Sequence, residues 1–172
     1  MKKTVLKYGL IGGAIVSLFM ACTVPFMDEN SDMSNSELIG YASMLVALST
    51  IFVGIRNYRN KELNGIISFG KAFLIGLYIA LIASTLYVLT WMVISDLFLP
   101  DFMETYINTS VANMKGAGST QAEINAHLET MKTWAEVYKN PIYKALMTYM
   151  EILPVGILVS LISSFILKKK QS

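Results

Sequence analysis

Apolar residues along the chain gather into four long stretches, each bounded by charge. The first runs from about Tyr8 to Met27, after Lys2, Lys3 and Lys7. The second runs from Leu38 to Ile55, between Glu37 and Arg56. The third runs from Ala72 to Ser95, between Lys71 and Asp96. The fourth runs from about Ala145 to Leu167, before Lys168, Lys169 and Lys170. At 1.5 Å rise per residue, helices of about 18 to 24 residues span roughly 27 to 36 Å, against a hydrocarbon core about 30 Å thick. Lipid offers the backbone no partner, so a spanning segment is a helix or part of a closed barrel. Barrel strands alternate over about ten residues, and these stretches do not. The pattern predicts four transmembrane helices.

The polar segment 101–140 is patterned too. Asp101 with Glu104 has the spacing of a capping box, and Met103, Ile107, Val111 and Met114 recur at helical intervals. Gly116-Ala117-Gly118 breaks that run. Thr120 with Glu123 begins a second capping box, Ile124, Leu128, Met131, Ala135 and Tyr138 follow at helical steps, and Asn140-Pro141 ends it. The segment reads as a helical hairpin or as two helices lying on the outer membrane surface. Its apolar stripes either pack on each other or meet a partner.

Composition agrees. Apolar residues make up 54% of the 172 and charged residues 15%, with mean hydropathy +0.52, where soluble domains carry roughly 25% charge. This argues against a disordered chain, a nucleic-acid binder and an ordinary soluble enzyme. Orientation follows from the cations. Ten of the 14 Lys and Arg fall at the termini and between spans two and three. The other four, Lys115, Lys132, Lys139 and Lys144, fall between spans three and four. Segment 28–37 holds four acids and no base. Both termini are therefore expected in the cytoplasm, with 28–37 and 100–144 outside.

Small residues recur every fourth position, on one helix stripe: Gly9 and Gly13; Ala72, Gly76, Ala80 and Ser84; Gly156, Ser160 and Ser164. Such ladders let helix backbones approach in lipid, either within the bundle or, through one unused ladder, in a homo-oligomer. Ionisable residues inside the spans are nearly absent, and Glu151 is the exception. It sits at the outer interface or dips into the bilayer, where a carboxylate marks a transport path; Tyr149 is then a candidate hydrogen-bond partner, and Pro154 either starts or kinks the helix. Ala21-Cys22 after an apolar run has the look of a lipoprotein signal, but the run continues to Met27, and a retained span explains its length better. The single cysteine and the single His127 cannot by themselves build a disulfide or a metal site. Asn108-Thr109-Ser110 fits a glycosylation sequon that matters only in a eukaryote. Trp91 and Trp134 suit interfacial positions.

A further segment, Arg59-Asn60-Lys61-Glu62-Leu63-Asn64-Gly65-Ile66 running into "ISFGKAF" and the small-residue span "GLYIALIAS", carries a resemblance. Pro100-Asp101-Phe102 to Tyr106, Tyr138-Lys139-Asn140-Pro141 and Pro154-Val155-Gly156 extend it over nearly the whole chain. The sequence resembles the family catalogued as domain of unknown function 4199, uncharacterised multi-pass membrane proteins found mainly in Bacteroidetes. That resemblance implies a four-span inner-membrane protein and transfers no functional residue. Physically, Ser68 suits a helix cap. Arg56, Arg59, Lys61 and Lys71 form either an anchor at the membrane surface or a lipid-headgroup or partner site.

The expectation is a single all-α domain over 1–172: a bundle of four transmembrane helices with an extracytoplasmic helical hairpin between helices three and four. The leading function is a non-enzymatic structural or accessory protein contacting a partner through that hairpin. A small transporter or channel with Glu151 in its pathway is the alternative. No cofactor, metal or nucleic acid is expected; the bilayer, a membrane or extracytoplasmic protein and a second copy of the chain are the candidate partners.

Overall fold

The computed structural model describes residues 1–24 and 33–169, the side chains of 33–38 excepted. The last positions of the expected first span, residues 28–32 of the acid-rich segment and residues 170–172 lie outside the described residues. Among the described residues seven helices follow one another: α1 Lys2–Thr23, α2 Met33–Leu48, α3 Thr50–Glu62, α4 Phe69–Phe98, α5 Phe102–Gly116, α6 Gln121–Tyr138 and α7 Pro141–Leu167. No strand occurs among the described residues. Four helical stretches among the described residues are long and apolar enough to cross a membrane: Lys2–Thr23, Ile39–Glu62, Phe69–Phe98 and Pro141–Leu167.

Ile39–Glu62 combines α2 and α3, which meet at Ser49. There the Ser49 hydroxyl donates to the Val46 carbonyl (2.6 Å) and the Thr50 hydroxyl to the Ala47 carbonyl (2.7 Å). Such bonds compete with the backbone ladder and bend a helix without stopping it.

The helices outrun the apolar stretches. The second span continues past Ile55 to Glu62, so Arg56, Arg59 and Lys61 ride on a helix beyond the apolar stretch. α4 starts three residues before Ala72, at the Ser68 cap, whose hydroxyl accepts from the Lys71 N–H (3.4 Å). α7 starts at Pro141 with Asn140 as its cap, four residues before Ala145. Hydropathy marks only the part of a helix facing hydrocarbon; caps mark where it begins and ends. The two expected capping boxes part company. Thr120 has extended backbone (φ −69°, ψ 154°) and forms the full reciprocal box with Glu123. Asp101 (φ −100°, ψ 24°) is not extended and makes no side-chain cap bond.

α4 is the central helix, packed on α1, α3 and α7. Close approaches set the register. Gly9 lies against Ile82 and Gly13 against Leu86, so α1 and α4 run parallel. Gly76 lies against Ser160 and Gly156 against Ala80, so α7 runs antiparallel to α4. The start of α1 and the end of α7 therefore share one end of the bundle, here the terminal end. The α5–α6 hairpin sits at the other, the hairpin end, turning at Gly118 with positive φ (+79°), where glycine is unstrained.

The interior holds Leu48, Ile51, Ile55, Ile75, Ile79 and Ile152, each fully buried. The exterior is as apolar: Leu89, Val93 and Leu97 on α4 and Leu158, Ile162 and Phe165 on α7 are exposed. An apolar exterior gives no hydrophobic drive between helices in lipid, and close packing of small residues takes its place.

Candidate functional site

At the hairpin end, α7 opens with one cation among apolar neighbours. Lys144 is 7% exposed. Its ammonium donates to the Asp96 carboxylate on α4 at 2.5 Å and lies 5.4 Å from the Tyr138 ring. The Trp91 indole N–H donates to the Tyr138 hydroxyl (2.7 Å). Phe102, the first residue of α5, meets Trp91 edge-on (centroids 5.1 Å) and Tyr138 at 6.0 Å. These contacts tie the hairpin to the ends of α4 and α7. Burial raises the Tyr138 hydroxyl above the usual tyrosine value; the Trp91 hydrogen bond opposes this, and the negative charges of Glu151 and Asp96 reinforce it.

Beside this cluster the hairpin stands off the helix ends and leaves a groove of about 560 Å³. Met92 and Leu99 of the α4 end, Met103 and Ile107 of α5, and Leu128 and Ala135 of α6 supply its apolar wall. Asp96, Asp101, Glu104, Lys132, Glu136, Lys139 and Lys144 supply its polar rim. The hairpin is thinly packed: α5 has no buried residue and α6 only Ile124. Within it the His127 ring bonds the Ser110 hydroxyl (2.7 Å), a contact between α5 and α6. Asn108 is exposed.

Glu151 lies ten residues into α7 and is exposed. The helix continues on both sides of it. The Tyr87 hydroxyl on α4 donates to its carboxylate at 3.4 Å. Tyr149, the candidate partner offered by the sequence, donates to the Thr85 hydroxyl (2.8 Å). Pro154 sits inside α7 and does not start it. The register between α4 and α7 puts Glu151 level with about Thr85, near the middle of the 30-residue α4.

The small-residue ladders meet within the chain. A Cβ at Gly9 would come within 2.7 Å of Ile82, one at Gly13 within 2.4 Å of Leu86 and one at Gly156 within 2.9 Å of Ala80. Ala72, Gly76, Ala80, Ser84, Gly156, Ser160 and Ser164 are all buried. Gly12 and Gly54, outside the ladders, make equally close contacts: Gly12 with the Thr50 hydroxyl and Gly54 with Ile79. Cys22 is exposed, near the end of α1.

At the terminal end Arg56, Lys61 and Lys71 are exposed and Arg59 is half-buried. The Arg59 guanidinium donates to the Leu167 carbonyl (3.2 Å) at the end of α7.

The Asp96–Lys144 pair escaped sequence reasoning, although a signal for it existed. A lone acid closes the third apolar stretch and a lone base opens the fourth, and antiparallel helices bring such ends together. The Trp91–Tyr138 bond and the tie of Arg59 to the C-terminal segment carry no sequence signal, because each joins positions far apart in the chain.

Among the described residues no three His, Cys, Asp or Glu side chains come together as a metal site would need. A central apolar helix, ladders of small residues and an apolar exterior together define a helical, multi-pass membrane protein. The chain belongs to a family described as Protein of unknown function (DUF4199), whose model matches residues 7–169. No curated protein and no solved structure matches the chain.

Proposed function

We propose that this protein is a non-enzymatic accessory subunit of the bacterial inner membrane, with both termini in the cytoplasm, that holds a partner protein in the groove beneath its hairpin. The groove carries the reading. It is about 560 Å³, walled by apolar side chains, and lies beside a hairpin with one buried residue. A hairpin serving only to connect α4 to α7 needs neither 40 residues nor an amphipathic face turned toward a gap. The cytoplasmic placement rests on the excess of Lys and Arg at the terminal end.

Site-specific photo-crosslinking in living cells tests this, with the probe at Ile107 or Leu128 and a control at Lys169. One discrete adduct with another polypeptide from the groove positions, lost when Met103→Glu is added, is the expected result. Adducts only between copies of this chain, or equal adducts from Lys169, would overturn it.

Glu151 supports a second reading, a small transporter or channel. A carboxylate near mid-height of a spanning helix, bonded by Tyr87 and flanked by the Thr85–Tyr149 pair, is a polar site at a depth where charge is costly. Glu151→Gln removes the charge and keeps the shape. Loss of a cellular phenotype with unchanged protein level would favour this reading, and an unchanged phenotype would dismiss it.

A further inference from the structure

Charge is distributed unequally between the two ends. The three ion pairs among the described residues all lie at the hairpin end: Lys132–Glu129, Lys139–Glu136 and Lys144–Asp96. The terminal end carries Lys2, Lys3, Lys7, Arg56, Arg59, Lys61, Lys71, Lys168 and Lys169 against Glu62, and no ion pair forms there among the described residues. Cations of one sign gathered on one face raise a positive potential that attracts anionic ligands.

The backbone gathers these cations. After α3, Asn64 and Gly65 both take positive φ (48° and 87°) and turn the chain back into α4. The segment leaving α7 is pinned onto that turn. The Ile67 N–H donates to the Lys169 carbonyl (3.1 Å), and the Lys169 N–H donates to the Ile67 carbonyl (2.9 Å). Arg59 holds the Leu167 carbonyl from the other side, and Ile67 and Leu167 are buried. Lys168 and Lys169 are thus latched beside Arg59 and the turn that leads from Lys61 to Lys71, where an unpinned tail would let them disperse. Lys71 and Lys168 also rest near the Tyr58 and Phe165 rings, at 5.8 and 4.0 Å. Next to the cations, Phe69, Phe165 and Ile166 are exposed and apolar. A phosphate seated on this patch has acyl-chain surface beside it.

We infer that the latched turn and tail form a binding site for anionic phospholipid headgroups. Guanidinium and ammonium groups supply donors to phosphate, and the adjoining apolar residues select a phosphate that carries acyl chains. The site is independent of the hairpin groove.

The test uses the full-length protein in mild detergent, titrated with phosphatidylglycerol or phosphatidylcholine, with bound lipid read by native mass spectrometry. Phosphatidylglycerol is expected to be retained more strongly. Lys61→Gln and Lys169→Gln, both at exposed positions, should each weaken it roughly fivefold with helicity unchanged. Lys132→Gln with Lys139→Gln, at the hairpin end, should leave it unaltered. Equal retention of the two lipids, or equal losses from variants at either end, would overturn the site. Displacement of phosphatidylglycerol by inorganic phosphate at matched concentration would make it a site for a soluble anion and overturn the lipid assignment.

Discussion

The α4–α7 seam yields the sharpest prediction, through Gly76→Ala. A Cβ at Gly76 would lie 2.9 Å from both Cβ and Oγ of Ser160 and 3.1 Å from Ile51 Cγ2. Comfortable carbon contacts begin at about 3.5 Å, so the seam must open by roughly half an ångström. Ser160 Cβ is one bond from its backbone and cannot turn aside, so the whole of α7 has to shift. Overpacking of this kind costs about 1–3 kcal/mol, and replacing glycine inside a helix returns about 0.5–1 kcal/mol. The net expectation is destabilisation by about 0.5–2 kcal/mol. Gly70→Ala is the control. It adds the same methyl to the same helix with nothing within 4 Å and should be neutral or mildly stabilising. Reversible unfolding by sodium dodecyl sulfate in mixed micelles, followed by far-ultraviolet circular dichroism, measures both. Ser160→Gly removes two of the three close atoms, so Gly76→Ala should cost less in that background, as a coupling energy in a double-mutant cycle. If Gly76→Ala costs the same in both backgrounds, or matches Gly70→Ala, these ladders do not face each other and the packing argument fails.

The Asp96–Lys144 pair should respond asymmetrically, because the Lys144 side chain is 9% exposed and that of Asp96 is 70% exposed. Asp96→Ala leaves a largely buried ammonium without its carboxylate and should cost about 1–3 kcal/mol; Lys144→Met leaves a hydrated carboxylate and should cost less in the same unfolding assay. The Ser84 hydroxyl is buried with no hydrogen-bond partner among the described residues, so Ser84→Ala should be neutral or stabilising by about 1 kcal/mol, and a clear loss would mean that the hydroxyl has a partner. The Thr120 N–H bonded to Glu123 holds that carboxyl below its ordinary value. Since the folded value is lowered, the capping box contributes above the ordinary glutamate pKa of about 4.3 and is lost as pH falls through the lowered folded value. A nuclear magnetic resonance titration of the Glu123 carboxyl, moved back to the ordinary value by Thr120→Ala, checks this. For orientation, a cysteine at Ser119 in a Cys22→Ser background should react with an impermeant thiol reagent on intact cells and one at Ser172 should not; the reverse pattern would invert the topology.

How far the sequence reaches differs from element to element. The spanning helices were legible because hydrocarbon leaves the backbone no other way to satisfy its polar groups, so twenty apolar residues imply a helix before any neighbour is known. Ser68 and Thr120 were legible as caps for the same local reason. Asp101 was not, because its backbone conformation is set where α5 meets α4, and a cap needs extended geometry as well as the right side chain. The start of α7 was not legible either, since hydropathy does not register the turn that Asn140 and Pro141 begin.

By itself, then, the sequence determined the number of spanning segments, the helical hairpin between the last two and the gathering of cations toward one end. These follow from local composition, which acts on each segment separately. Only the tertiary structure decided that Gly76 answers Ser160, that Asp96 meets Lys144, that Tyr87 bonds Glu151, and that Lys169 is latched to Ile67. A spacing of four residues defines a stripe on a helix without naming the helix that fills it. That choice belongs to register and to the direction of each neighbour, which depend on the packing of the whole bundle at once.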